Sequence, residues 1–376
     1  MHRIALLAAL AATLAGCQTT GESIGKSRND LYDGGRSVLY QVQKGADTPE
    51  QAMRMAAAAY SAGDTDQALY QYLRASELDP KRYDALVWVG RIHRERGNNP
   101  LAERALNDVL KVEPGNLEAL SELGTLQIAM RRYPEAAKTL GGALRLDQQR
   151  FGGVVPAGEL TDPGVLMVDD KSPLRVYNGL GVLADLRNEF DRAHVYYRLA
   201  LQISPRSAMA ANSLGYSHYL AGEWPAARQA YQQALGFDAS YKPAWRNYGM
   251  LLARMGNYEE ALSAFEQVET RAEASNDVGY VCLIEGNLEQ AELFFRSAID
   301  QSPAHYEVAS QNLKRVEQIR RIRNNDAGGG SDVSRMSTPV APAAGPLTIP
   351  SAVPLAASTP MVSTVSLPSP LQTGTP

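Results

Sequence analysis

Apolar residues recur along most of this chain at helical spacing, and the helical segments themselves recur. Ala68, Ala102, Ala136, Ala193, Ala227, Ala261 and Ala291 are separated by intervals of 34, 34, 57, 34, 34 and 30 residues. Twelve residues before each of the last six stands a glycine: Gly90, Gly124, Gly181, Gly215, Gly249 and Gly279. Four residues after each alanine comes a large apolar or aromatic residue: Tyr72, Leu106, Leu140, Tyr197, Tyr231, Phe265 and Phe295. Pro80, Pro114, Pro205 and Pro303 stand twelve residues beyond their alanines, where a missing N–H ends a helix. The pattern predicts pairs of antiparallel helices, A then B, in which small residues allow close approach and the bulky residue fills the gap to the next pair. Turn residues fall between A and B at Gly63-Asp64, Gly97-Asn98, Gly222-Glu223, Gly256-Asn257 and Gly286-Asn287.

A period of 34 is that of tetratricopeptide helix–turn–helix units, so the expected fold is all-α: a solenoid of about seven repeats. The unit spans are 49–82, 83–116, 117–150, 174–207, 208–241, 242–271 and 272–305. The 57-residue interval marks residues 151–173 as a Gly- and Pro-bearing loop between a first block (49–150) and a second (174–305). The 30-residue interval predicts a shortened B helix in the sixth unit and a local bend of the superhelix. Residues 306–323 form an amphipathic capping helix with a basic end.

The two ends are unlike the middle. Met1-His2-Arg3 is followed by an apolar run and by Leu14-Ala15-Gly16-Cys17. A short basic region, about ten apolar residues and small residues at a cut describe an export signal over 1–16, too short to span a bilayer. Leu-Ala-Gly-Cys resembles the bacterial lipobox. That resemblance implies lipidation of Cys17 and, with Gln18 after it, the periplasmic face of the outer membrane after Sec export. Residues 17–48 read as a glycine-bearing tether, with room for a short helix around 31–43. From 324 to 376 the chain is a Pro/Ala/Ser/Thr-rich tail whose composition cannot form a packed core.

Composition then removes function classes. With 37 Lys+Arg against 41 Asp+Glu, a nucleic-acid binder is not the default. Cys17 serves as anchor, leaving Cys282 without a disulfide partner and on an apolar helical face. No His-Glu-x-x-His, phosphate-cradling glycine loop or Gly-x-Ser-x-Gly elbow occurs. His93 and His218 occupy the same helix-A position in two units, and His194 and His305 stand apart from them in sequence; all four read as structural. Asp169-Asp170 reads as a solvated corner. The expectation is no catalysis, no metal, no small-molecule substrate and no cofactor beyond the lipid on Cys17.

Function in such an array is expected on the face built from the A helices. The second, fifth, ninth and twelfth positions of each unit fall there. They supply Asp84, Arg91, Arg94, Arg175, Asn178, Asp185, Asn212, Tyr216, Tyr219, Arg246, Met250, Asn276, Tyr280 and Leu283. Arg91, Arg94, Asn178, Asn212, Tyr216, Tyr219, Arg246, Met250, Asn276 and Tyr280 are the candidate protein-binding residues. Aromatics provide contact area, while Asn and Arg fix backbone or carboxylate groups of an extended peptide or helix.

The lipobox followed by these repeats resembles tight-adherence (Flp) pilus assembly lipoproteins of the TadD type. The resemblance runs over 17–323, above all through Tyr177-Asn-Gly-Leu-Gly-Val182, Asn212-Ser-Leu-Gly-Tyr216, Asn276-Asp-Val-Gly-Tyr280, Glu285-Gly-Asn287 and Ser302-Pro-Ala-His-Tyr-Glu307. It implies a pilotin-like scaffold for a secretin or another envelope assembly protein. A scaffold for exopolysaccharide export or outer-membrane protein assembly is the nearest alternative. A periplasmic enzyme subunit is the alternative of another class.

Overall fold

The computed structural model describes residues 46–152, 163–302 and 306–328. The export signal, Cys17, most of the tether, residues 153–162, Pro303, His305 and the tail from 329 lie outside the described residues. Those described form fifteen α-helices, one short 3-10 turn and no strand. They fall into two compact units, one ending at Ala85 and the other beginning at Leu86.

The first unit contains α1 (Pro49–Ser61) and α2 (Thr65–Leu78). Thr48 caps α1 by accepting from Gln51 N, and Pro49 sits at the first helical position, where its missing N–H costs nothing. Asp64 caps α2 by accepting from Gln67 N. Gly63 bridges the two helices at φ +81°, the left-handed conformation a tight turn requires. Ala52, Ala56 and Tyr60 of α1 and Ala68, Tyr72 and Leu73 of α2 are buried. Arg82 closes the unit with an ion pair to Glu50 at 2.6 Å.

The second unit takes in most of α3 (Tyr83–Glu95) and then α4 (Asn99–Val112). It continues with α5 (Leu117–Ala129), α6 (Tyr133–Gln149), α7 (Leu174–Asp185) and α8 (Phe190–Ile203). After these come α9 (Ala208–Leu220), α10 (Trp224–Phe237), α11 (Lys242–Arg254) and α12 (Tyr258–Phe265). The last elements are α13 (Arg271–Ile284), α14 (Leu288–Gln301) and α15 (Glu307–Gly328). Odd-numbered helices up to α13 are the A helices, even-numbered the B helices.

The glycine pattern explains how each pair closes, and differs from expectation in one respect. The bulky B-helix residue lies on the glycine of its own A helix instead of filling only the gap to the next pair. A Cβ at Gly90 would stand 2.7 Å from Leu106, at Gly181 2.5 Å from Tyr197, and at Gly215 2.7 Å from Tyr231. Gly279 meets Phe295 in the same way, at 2.9 Å. Each aromatic ring therefore occupies the volume a side chain would fill, and any substitution forces overpacking.

The A–B turns hold a left-handed residue in every pair of this unit. It is Gly97, Gly222, Gly256 or Gly286 where glycine is present, but Arg131 and Asn188, both at φ 59°, in the third and fourth pairs. A non-glycine residue there is tolerated because the surrounding helix-end bonds, such as Arg132 N to Gln127 O at 2.8 Å, fix the geometry.

Residues 163–173 are ordered against the array. Leu166 joins a core that also holds Leu140, Val176, Tyr177 and Leu180. That core is continuous from α6 to α7, so the inserted segment leaves the third and fourth pairs packed directly on each other. Gln148 holds the segment by donating to Met167 O at 2.7 Å and accepting from Met167 N at 3.1 Å. Asp169 is paired with Arg150 at 2.5 Å and accepts from Lys171 N, so it is not a free solvated corner.

The sixth pair does have a short B helix, α12, of 8 residues. Thr270 then opens α13 with a reciprocal capping box to Glu273. The capping helix α15 continues past Arg323 to Gly328, because Asn324 through Ala327 contain no breaker. It seats Val316 in the core of α11–α14, and Arg320 pairs with Glu292 of α14 at 2.7 Å. Among the described residues no helix is long and apolar enough to cross a membrane.

Candidate functional site

The A helices of the second unit carry three chemically different stretches. At α3, α5 and α7, charge is buried and paired. Glu122 on α5 is fully buried and binds three arginines. Arg91 Nε donates to its Oε1 at 2.7 Å, Arg94 Nε to its Oε2 at 3.1 Å, and Arg175 Nε approaches Oε1 at 3.1 Å. Burial alone would raise the Glu122 pKa, but the charges of Arg175, Arg91 and Arg94 overcome that and bring it to about 2. Arg91 also donates to Glu118 at 3.0 Å and lies 4.1 Å above the Trp88 ring. Arg91 and Arg94 are thus mostly turned into the protein. Their guanidinium groups are occupied by Glu122 and its neighbours rather than held open for a ligand.

The asparagines form the floor. Asn178, Asn212 and Asn276 are all buried. Asn212 Oδ1 accepts from Asn247 Nδ2 at 3.0 Å, and Asn276 Oδ1 accepts from Asn312 Nδ2 at 3.1 Å. These bonds tie α9 to α11 and α13 to α15. Asn178 Oδ1 is buried with no hydrogen-bond partner. Asn212 and Asn276 therefore set the spacing of successive helices, each through an amide-to-amide bond with the asparagine of a later helix.

The aromatic residues are the accessible part. Tyr216 and Tyr219 of α9 are half-buried and stacked, with ring centroids 6.0 Å apart and planes at 19°. The Arg254 guanidinium lies 5.2 Å over Tyr219. Met250 and Tyr280, also half-buried, pack along the edge of the neighbouring core built from α11–α14. The four residues therefore lie as two pairs on adjoining cores.

At α11 and α13 the sign of the charge reverses. Arg246 Nε donates to Glu269 Oε1 at 2.5 Å. Asp277, one position after Asn276, is pushed up to about 7 by burial and then by the Glu269 carboxylate. Tyr306 is raised to about 12 by burial and then by Asp277, Glu273 and Glu269.

Position counting did not single out Glu122, Asn247 or Asn312. Asn247 and Asn312 stand 35 and 36 residues after their partners, so a strict 34-residue register selects Arg246 instead. Glu122 carried a visible signal: a charged residue at the middle of the largely buried helix Leu117–Ala129.

Two family models described as tetratricopeptide repeat match the chain. One covers residues 94–152, the other residues 53–111, 178–242 and 246–306. The chain belongs to the tetratricopeptide repeat family. Such repeats in general form scaffolds that bind protein partners. Among relatives, the human protein O-mannosyl-transferase TMTC1 is 24% identical over 203 residues, 54% of this chain and 20% of that protein. The human cell division cycle protein 16 homolog is 26% identical over 171 residues, 46% of this chain and 25% of that protein. The chain thus spans a quarter or less of the length of these relatives. The solved structure of the APC/C hetero-tetramer Cut9-Hcn1 matches this chain with a TM-score of 0.51 at 16% identity. It covers 71% of this chain and 48% of that one. That likeness is one of fold.

Proposed function

We propose that this protein is a non-enzymatic scaffold, held by lipid on Cys17 at the periplasmic face of the outer membrane. It binds an envelope assembly protein through the A-helix face of its tetratricopeptide array. The observation that carries the binding reading is the half-exposed aromatic surface of Tyr216, Tyr219, Met250 and Tyr280 over a floor of fixed asparagines. Rigid aromatics on a preorganised base provide contact area at low entropic cost. Arg246 and Arg254 beside them are held in place by ion pairs to Glu269 at 2.5 Å and Glu285 at 2.9 Å.

The anchor reading is supported by Leu14-Ala15-Gly16-Cys17, and the pilus reading by the resemblance of 17–323 to tight-adherence pilus assembly lipoproteins. In that reading the partner is the secretin of the export machine. Deleting the gene should abolish detergent-resistant secretin multimers in the outer membrane, and Tyr216→Ala with Tyr219→Ala should weaken secretin co-purification. Unchanged multimers together with normal surface piliation would sink the pilus assignment. Cys17→Ser should release the protein from membranes, and a variant that resists high-salt extraction refutes the anchor.

A further inference from the structure

His194 and His218 are 24 residues apart and were expected to be unrelated structural histidines. The fold brings them together. His194 lies on α8, His218 in the last turn of α9, and Glu223 at the N-cap position of α10, where its side chain makes no capping bond. The imidazole centroids are 4.0 Å apart with planes at 40°. His218 Nδ1 and Glu223 Oε2 are 2.5 Å apart. One ligand atom from each of the three residues lies within 4.8 Å of the other two.

We propose that His194, His218 and Glu223 form a binding site for a divalent transition-metal ion of the zinc class. Two imidazoles and a carboxylate are a donor set suited to zinc, copper(II) or nickel(II), and three protein ligands leave a fourth position for water.

Several independent features favour a ligand site over an ordinary hydrogen-bonded corner. His194 is 4% exposed, and its Nε2 is buried with no hydrogen-bond partner. A buried ring nitrogen with nothing to bond is costly unless something occupies the space before it. Neighbouring imidazoles at this distance repel if both are protonated, and a metal that takes their lone pairs removes that conflict. Burial, then His218, hold His194 below the ordinary imidazole range. The hydrogen bond with His218 holds the Glu223 carboxyl below its usual range. Arg198 opposes a cation here, and Asp191 together with Asp185 act in the other direction.

The backbone frames the site. Gly222, at φ +78°, lets Glu223 N donate to His218 O at 2.8 Å, which fixes the two residues across the A–B turn. Glu223 is 51% exposed, so its carboxylate has an open path and freedom to move. Binding requires the His218–Glu223 contact to open to the roughly 3.3 Å that two donors about 2 Å from a tetrahedral ion demand. It also draws the widest pair inward. A bound ion would staple α8, α9 and α10, and with them the fourth and fifth repeats.

The test uses the untagged full-length chain stripped with a chelator. Zinc alone is titrated against a chromophoric competitor, and cobalt(II) is followed by its visible ligand-field bands. The expected result is one equivalent bound at micromolar zinc, four-coordinate cobalt bands, and a metal-dependent rise in Tm. Glu223→Gln and His218→Asn should each weaken zinc affinity by at least about 10–100-fold, with folding monitored by circular dichroism. Glu223 is exposed, so its variant answers even if substitution at His218 disturbs the helix. Absence of zinc binding by the folded wild type overturns the proposal, as does equal affinity in the folded Glu223→Gln and His218→Asn variants. The latter result would place the metal elsewhere, for instance at Cys282 or His93.

Discussion

The A helices treat buried carboxylates in opposite ways at two places. Around α5, Glu122 is the fully buried centre of three arginines and is held ionised, with a pKa of about 2. Around α13, Asp277 is pushed up to about 7 by burial and by the Glu269 and Glu273 carboxylates, against the opposing charge of Arg246. Both sit at the same helix-A position, in the third and the seventh repeat. The repeat therefore supplies the burial, while neighbours from adjacent helices decide whether the group is charged. The α5 region is a structural ion cluster that leaves little for a ligand. The α13 region is short of positive charge, and a perturbed carboxylate of that kind is what a basic partner side chain would stabilise.

The largest expected effect falls on the first region. Glu122→Gln leaves three arginines facing a neutral amide in a buried site, and stability should fall by about 3–5 kcal/mol in a denaturant titration. In the wild type, the Glu122 contribution is present above its unfolded-state pKa and is lost as pH falls from about 4 through about 2. The variant should therefore show a smaller loss of stability on acidification. A fall below about 1 kcal/mol would mean the cluster is not the buried network described here.

Asp277 has the opposite sign. Its folded pKa lies above its unfolded one, so its contribution is complete below about 4 and is lost as pH rises towards about 7. Asp277→Asn keeps the neutral form at every pH. It should gain on the order of 1 kcal/mol at pH 8 and almost nothing at pH 4. Equal effects at both pH values would show that Asp277 is already ionised in the folded protein and that the two regions do not differ.

The contrast also marks what was legible before the structure. Gly181 and Tyr197, like Gly215 and Tyr231, were marked as helix-packing positions by the constant spacing within a repeat, but spacing did not show that each ring lies on the glycine of its own pair. The shortened α12 did follow from the 30-residue interval. The site was less legible because its pairings cross between repeats. Glu122 meets partners 31 and 28 residues before it, and Asn247 lies 35 residues after Asn212. One residue of slip turns a helical position by about 100°, enough to select Arg246 where Asn247 faces the ladder. His194 and His218 were hidden for another reason: one lies on a B helix and the other on the next A helix, a pairing that no repeat interval marks. Arg131 and Asn188 take the left-handed turn position without the glycine that would have announced it.

The smallest effect separates the two regions most directly. Arg246 is 39% exposed while its partner Glu269 is 7% exposed, so the pair combines a solvated cation with a nearly buried anion. Arg246→Gln removes the charge but keeps a hydrogen-bonding group, and should cost under about 1 kcal/mol at pH 8. The cost should shrink towards pH 5, where Asp277 is protonated and Glu269 faces one carboxylate fewer. In the Asp277→Asn background the pH dependence of the Arg246→Gln effect should largely disappear, a coupling that a double-mutant cycle reads directly. Arg91→Gln is the matched control, because Arg91 is buried against Glu122 and its loss should be larger and insensitive to pH between 5 and 8. Identical pH profiles for the two arginine variants would mean that Asp277 does not govern the α13 region, and its openness to a basic partner would lose its physical basis.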